Sequence, residues 1–227
     1  MDESPQSPIT DLIFDSGGVI FTNGTNIVLD QFQKILRKPR ELLLRIFSGD
    51  PQWGPPDKAG VLYREGKINR DEFWARVGSQ LGIEDTRQLS KMEQMWFDAY
   101  VPIPGMIELL EKLRPQYTLT LWTGNIPERI KYLDDRYKLL QYFQKTCYSY
   151  VYRASKEDDN FYNALKDVIA PVTPEHAIVI DDKHKYVFKA RKTGFNAILF
   201  ESTSRLVKDL QKFGVVIDGT TEIGKKN

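Results

Sequence analysis

A single cysteine, Cys147, among 227 residues leaves no partner for an internal disulfide and no second thiol for a CxxC site. It precedes an aromatic run, Tyr148, Tyr150 and Tyr152, so packing in a buried strand is its natural role. Charge of either sign in excess is also missing. Lys and Arg total 32 against 31 Asp and Glu, a formal charge of +1, so no overall field draws the chain to nucleic acid or to an acidic membrane. No stretch reaches the roughly 18 apolar residues of a membrane-spanning helix. Repeats are absent, and low complexity is confined to the termini. The first ten residues are rich in Ser, Pro and acid and lack the basic and apolar regions of a secretory signal. These absences together predict a cytoplasmic protein. What remains, 41% hydrophobic and 28% charged residues, is ordinary for a soluble globular chain. The length suits one large domain or a core carrying a smaller insert.

Short apolar runs at 12–14, 119–122, 177–180 and 197–200 alternate, in the second half, with helical patterns. That alternation predicts βαβ units and a mostly parallel, Rossmann-like sheet flanked by helices. A further strand is expected at 148–151. Residues 107–113 have helical spacing, with Pro104-Gly105 before them and Pro115 after, which reads as a helix feeding the next strand. The block 23–101 has no strand-like run. Segments 30–47, 69–81 and 88–100 are amphipathic and helical, and 49–60, with Pro51, Trp53, Pro55 and Pro56, reads as a loop. Asn69 is placed to cap the second of these helices, with Asp71 and Glu72 in its first turn. The expected division is a core of 1–22 and 102–227 with an all-helical cap of 23–101, a lid that would exclude water from the carboxyl ends of the strands.

Four chemically able groups stand at equivalent places. Asp15 ends the first strand and is followed by Ser16-Gly17-Gly18, whose glycines let backbone approach a ligand closely. Thr123 ends the second strand and opens Thr123-Gly124-Asn125. Lys156 precedes a helix. Asp181 and Asp182 end the run Ala177-Ile178-Val179-Ile180. Each alone has a plain structural reading: Asp15 as a turn residue, Thr123 as a helix cap, Lys156 as a solvated charge, the Asp pair as a turn. Carboxyl ends of parallel strands are nevertheless where open α/β sheets bind ligands. Carboxylates about 4 Å apart repel by roughly 4 kcal/mol at an effective dielectric near 20, so three of them gathered there call for a cation. Hard oxygen donors suit Mg²⁺. A cation, a lysine, a hydroxyl and glycine-rich N–H groups together suit a phosphoryl group.

These segments resemble, in order, the four motifs of the haloacid dehalogenase-like hydrolases. Phe14-Asp15-Ser16-Gly17-Gly18-Val19-Ile20 is similar to the first motif, usually DxDx[TV]. Leu121-Trp122-Thr123-Gly124-Asn125 resembles the second, and Lys156-Glu157-Asp158-Asp159-Asn160-Phe161-Tyr162 the lysine motif. Ile178-Val179-Ile180-Asp181-Asp182, continued through Lys189 to Phe195, looks like the acidic fourth motif. Pro102-Ile103-Pro104-Gly105 resembles the family's re-entry into the core, and residues 66–74 the helical cap of the subgroup whose cap follows the first motif.

The resemblance implies a phosphatase-type hydrolase acting on a small phosphorylated metabolite through an aspartyl-phosphate on Asp15. Mg²⁺ would be held by Asp15, the Gly17 carbonyl, Asp181 and Asp182. Ser16, Gly17, Gly18, Thr123, Gly124, Asn125 and Lys156 would bind the phosphoryl group, with Thr123 and Lys156 also serving catalysis. Trp53 is either a loop aromatic packed on its own cap or a candidate specificity residue. Two departures stand out. Gly17 occupies the place of the family's second aspartate, its general acid and base, a loss of about 10²–10⁴-fold in such enzymes. Lys183-His184-Lys185-Tyr186 replaces the usual small residues after the fourth motif; His184 could move a proton, whereas His176, just before a strand, reads as structural. The alternatives are therefore a family member without turnover that binds or regulates, and a dehalogenase or phosphonate hydrolase. Lys58 and Lys67 are the cap lysines available for the last. Substrate identity and oligomeric state are not encoded in any motif.

Overall fold

The computed structural model describes residues 8–47 and 59–217; Trp53 and Lys58 lie outside them. Five strands, β1 (Asp11–Phe14), β2 (Thr118–Thr123), β3 (Lys145–Tyr148), β4 (Ala177–Asp181) and β5 (Asn196–Leu199), form one sheet in the order β3-β2-β1-β4-β5. Every pairing is parallel. The chain reaches β2 and β3 on one side of β1, then crosses back to β4 and β5 on the other. β1 is thus the point where the strand order reverses, and a crevice opens there at the carboxyl ends.

Alternate side chains explain why these runs are apolar without a polar face. Leu12, Phe14, Leu119, Leu121, Ile178 and Ile180 enter one core cluster. Ile13, Trp122, Cys147, Val179 and Ala197 enter the other. With period-2 geometry, both faces of the sheet are covered, as parallel sheets require. Cys147 is buried in β3 as a packing residue, and burial pushes its thiol up to about 12.

Between β1 and α6 (Met106–Leu113) the described residues hold only helices: α1 (Gly24–Leu36), α2 (Arg40–Phe47), α3 (Ala59–Arg64), α4 (Arg70–Leu81) and α5 (Thr86–Asp98). Their centre is aromatic: Phe47 packs on Phe32, Phe73, Trp74 and Trp96, with ring centres 5.3–6.0 Å apart. The expected helix 30–47 is two helices. Arg37 turns left-handed at φ 52 and Pro39 follows it, with no N–H to extend the first helix. The expected loop 49–60 ends early, because Ala59 and Gly60 open α3. A side chain at 60 would collide with the Phe47 carbonyl, so this glycine allows two helices to meet. Asn69 caps α4 in a reciprocal box with Glu72, at 2.9 and 2.8 Å. Asn69→Ala should cost about 1 kcal/mol in urea denaturation; no change would deny the cap a role.

The carboxyl-terminal half alternates regularly: α7 (Pro127–Tyr137), α8 (Ser149–Tyr152), α9 (Asp159–Ile169), α10 (His184–Lys192) and α11 (Thr203–Lys212). The strand expected at 148–151 is displaced. Pairing with β2 ends at Tyr148, and the chain turns into α8, where Ser149 Oγ donates to the Arg64 carbonyl at 2.5 Å. The alternating tyrosines imitate a strand, but Tyr148 and Tyr150 stack on each other at 5.1 Å. Among the described residues no helix is long and apolar enough to cross a membrane.

Candidate active site

The buried β1 strand delivers Asp15 to the crevice, where its N–H donates to the Ile180 carbonyl at 3.0 Å. The chain then turns sharply: the Ser16 carbonyl accepts from Val19, Ile20 and Phe21, and the Gly18 N–H donates to the Phe21 carbonyl at 2.6 Å. Gly18 has φ +92, and a Cβ there would collide with the Asp182 carboxylate. Both the backbone and the neighbour therefore require glycine. Gly18 serves the turn, since its amide is engaged. A Cβ on Gly17 would stand 3.2 Å from Tyr100 Cε1: the edge of the Tyr100 ring occupies the space beside this glycine.

β4 carries Asp181 and Asp182 to the same edge. Ligand oxygens of Asp15, Asp181 and Asp182 lie within 4.8 Å of one another. Lys156 crosses to them, its Nζ 3.0 Å from Asp15 Oδ1 and 2.7 Å from Asp181 Oδ2, 4.4 Å above the Trp122 ring. The lysine loop is pinned by Asp158, which accepts from the Ser155 N–H and hydroxyl at 2.9 and 3.0 Å. Asp181 is fully buried, and its other oxygen accepts from the Lys183 N–H at 2.9 Å.

Burial opposes the charge on Lys156, yet the combined pull of Asp15 and Asp181 outweighs it and holds the ammonium above its ordinary range. Burial pushes the Asp181 carboxyl up, against the attraction of Lys156. Asp182 is pushed up to about 6 by burial and by repulsion from Asp15 and Asp181, and its buried Oδ1 has no hydrogen-bond partner among the described residues. One lysine does not balance three carboxylates, and Asp182 bears the shortfall. Such a donor set fits a hard divalent cation, which would supply the missing charge and a partner for the orphaned oxygen.

Around this centre, Thr123 is buried at the end of β2, and a Cβ on Gly124 would meet nothing within 4 Å, so space opens beside the threonine. Asn125 is buried, and its Oδ1 accepts from the Ile126 N–H at 2.9 Å and from Arg129 Nε at 2.6 Å; that oxygen orients an arginine. The buried Ser16 hydroxyl has no hydrogen-bond partner among the described residues. The basic loop after Asp182 docks on the lysine loop: Lys185 and the Tyr186 hydroxyl meet Glu157 at 2.5 and 3.2 Å, and the Tyr186 ring stands 5.7 Å from Lys156 Nζ. Lys183 and His184 are exposed. His176 Nδ1 donates to the Pro8 carbonyl at 2.9 Å, just ahead of the amino end of β4. A surface cleft of about 420 Å³ between α3, α4 and α7, lined by Tyr63, Asn69, Glu128 and Tyr150, includes none of Asp15, Asp181 and Asp182.

Arg129 and Tyr100 are the neighbours that motif reading misses. Arg129 lies in the first turn of α7, where helix-dipole arguments disfavour a cation; that local misfit was its one signal.

No family model matches the chain. An uncharacterised protein of Dictyostelium discoideum is 26% identical over 164 residues, which is 70% of this chain and 67% of that protein. Among solved structures, a haloacid dehalogenase family enzyme of Bacteroides thetaiotaomicron, as its magnesium complex, superposes with a TM-score of 0.71 at 20% identity, over 89% of this chain and 100% of that one. The same enzyme with magnesium and inorganic phosphate gives 0.67 at 20% identity, over 86% and 96%. L-2-haloacid dehalogenase of Xanthobacter autotrophicus, with chloropropionic acid covalently bound, gives 0.61 at 17% identity, over 92% and 84%. At these identities the likeness establishes the fold.

Proposed function

We propose that this chain, whose fold is that of the haloacid dehalogenase-like hydrolases, hydrolyses phosphate monoesters of small metabolites with Asp15 as nucleophile and Mg²⁺ as cofactor. The observation that carries this reading is the convergence of Asp15, Asp181 and Asp182 within 4.8 Å, bridged by Lys156 at the carboxyl edge of β1 and β4. A magnesium and phosphate complex of the Bacteroides enzyme on the same fold supports it.

Asp15, Asp182, the Gly17 carbonyl and, directly or through water, Asp181 would hold the ion. When bound, Mg²⁺ would offset the phosphoryl charge that the carboxylates otherwise repel. Lys156 holds Asp15 Oδ1, so Oδ2 is assigned as the attacking atom. It bonds to phosphorus as the bond to the leaving oxygen breaks; that oxygen takes its proton from water, and a second water then hydrolyses the aspartyl-phosphate to free Asp15 and inorganic phosphate. The Thr123 hydroxyl, the N–H groups of Ser16, Gly17 and Gly124, and Lys156 stabilise the transferring group electrostatically. The helical block 23–101 acts as the lid and closes the site to bulk water.

A second reading, binding without turnover, draws on one observation: the space beside Gly17 is filled by Tyr100, which leaves no carboxylic acid there. Dehalogenation is disfavoured because it gives Asp182 no counter-charge. Hydrolysis of p-nitrophenyl phosphate with and without Mg²⁺, beside Asp15→Asn, separates these readings. Mg²⁺-dependent turnover that disappears in the variant is expected. A wild type as silent as the variant on this and a broad panel of phosphate esters would favour the binding reading.

A further inference from the structure

Arg129 is fully enclosed, 2% exposed, at the seam between core and helical insert. Its Nε–H donates to Asn125 Oδ1 at 2.6 Å, and its guanidinium lies 4.4 Å from the centre of the Tyr100 ring and 4.6 Å from that of Trp96. Among the described residues Nη1, which is buried, has no hydrogen-bond partner, and no carboxylate lies within ion-pair distance of it. A buried guanidinium stays charged and is costly without an anion; two aromatic faces compensate only in part.

Its position is set by two short connections. Asn125 follows Thr123 by two residues, and the Tyr100 ring that Arg129 covers touches the space at Gly17, two residues beyond Asp15. The Asp15 carboxylate is near enough to attract Arg129, and Arg64, from α3 on the opposite side of the seam, is near enough to repel it. The Asp15 edge and the Arg129 guanidinium are thus joined through Tyr100 and Asn125.

We infer, resting on the phosphate-ester reading above, that Arg129 is a specificity-determining residue that binds a second anionic group on the substrate's leaving group, a carboxylate or a second phosphate. The orphaned Nη1 donates to that anion, and the paired cations across the seam make a neutral leaving group the weaker ligand.

Three esters sharing a two-carbon skeleton test this with the full chain: 2-phosphoglycolate, ethane-1,2-diyl bisphosphate and 2-hydroxyethyl phosphate. Wild type should favour at least one of the two anionic esters over the neutral one by about 10-fold or more in kcat/KM, and the one favoured identifies the anion. Arg129→Met should bring the ratio towards one, mainly through KM, and Arg129→Lys should restore part of it. Preference for the neutral ester in wild type, or an equal loss on all three esters in Arg129→Met, would overturn the inference and leave Arg129 as a clasp between the two parts. Calorimetric binding of the same esters to Asp15→Asn reads the subsite without turnover. A retained preference there, with no hydrolysis by wild type, would count against the catalytic reading and for the subsite.

Discussion

Replacing Lys156 with methionine should destabilise the protein by about 3–5 kcal/mol, the range for removing one partner of a buried ion pair. Lys156 and Asp181 are 5% and 0% exposed, their charged atoms are 2.7 Å apart, and Lys156 also holds Asp15 at 3.0 Å. Methionine keeps much of the stem's packing on Trp122, so the loss reports charge. It would leave Asp181 buried with only the Lys183 N–H as donor, beside two other carboxylates. Asp181→Asn in the same background should recover part of the loss, because a neutral amide no longer needs the ammonium; the coupling expected between contacting residues is about 0.5–3 kcal/mol. Urea denaturation of the four proteins in the cycle, without added metal, measures it. A single-variant cost under about 1 kcal/mol, or simple additivity, would show that Asp181 is already neutral and owes nothing to the lysine. In the mechanism proposed, the same variant loses a charge aimed at the phosphoryl group, and turnover should fall by about 10²–10³-fold or more.

The sheet was legible because burial on both faces forces unbroken apolar runs, and β1, β2, β4 and β5 fall within a residue or so of those runs. β3 was not, because Tyr148 and Tyr150 alternate like strand residues while stacking on one another. The helix break at Arg37 rested on a left-handed residue whose side chain gives little sign of it, with Pro39 as the visible cue. Of the candidate site, the ends of strands offered Asp15, Thr123, Asp181 and Asp182; each alone reads as a turn or a cap, and only the set, at equivalent strand ends, points to a shared ligand. Tyr100 and Arg129 were hidden. They reach the crevice from the end of one helix and the start of another, 29 positions apart in the chain, and only tertiary packing brings the ring of one under the guanidinium of the other. Asn125, which the second-motif resemblance offers as a phosphate ligand, has its oxygen engaged by Arg129, a partner that no motif shows.

Asp182→Asn should make the metal-free protein more stable at pH 7. The folded state raises the Asp182 carboxyl from 3.8 to about 6, so it retains a proton that the unfolded chain has released. Where the native state binds more protons, stability falls as pH rises. The wild type should therefore lose stability between about pH 4 and pH 6 and carry the whole penalty above that window. Two pKa units would correspond to about 3 kcal/mol at most; partial exposure of the group reduces this to about 1–2 kcal/mol. Asparagine has no charge to desolvate or repel, so its profile should be flatter across pH 4–6 and higher at pH 7. Mg²⁺ should reverse the order, raising the melting temperature of wild type with little effect on the variant, since anything that binds only the folded state stabilises it. Thermal melts at pH 4.5, 6 and 7.5, with EDTA or Mg²⁺, check both signs. A variant less stable than wild type in EDTA at pH 7.5 would mean that Asp182 has a partner the geometry does not show. Stabilisation in EDTA coupled to loss of the Mg²⁺ response is what a residue kept for a cation, at a cost to the fold, must give.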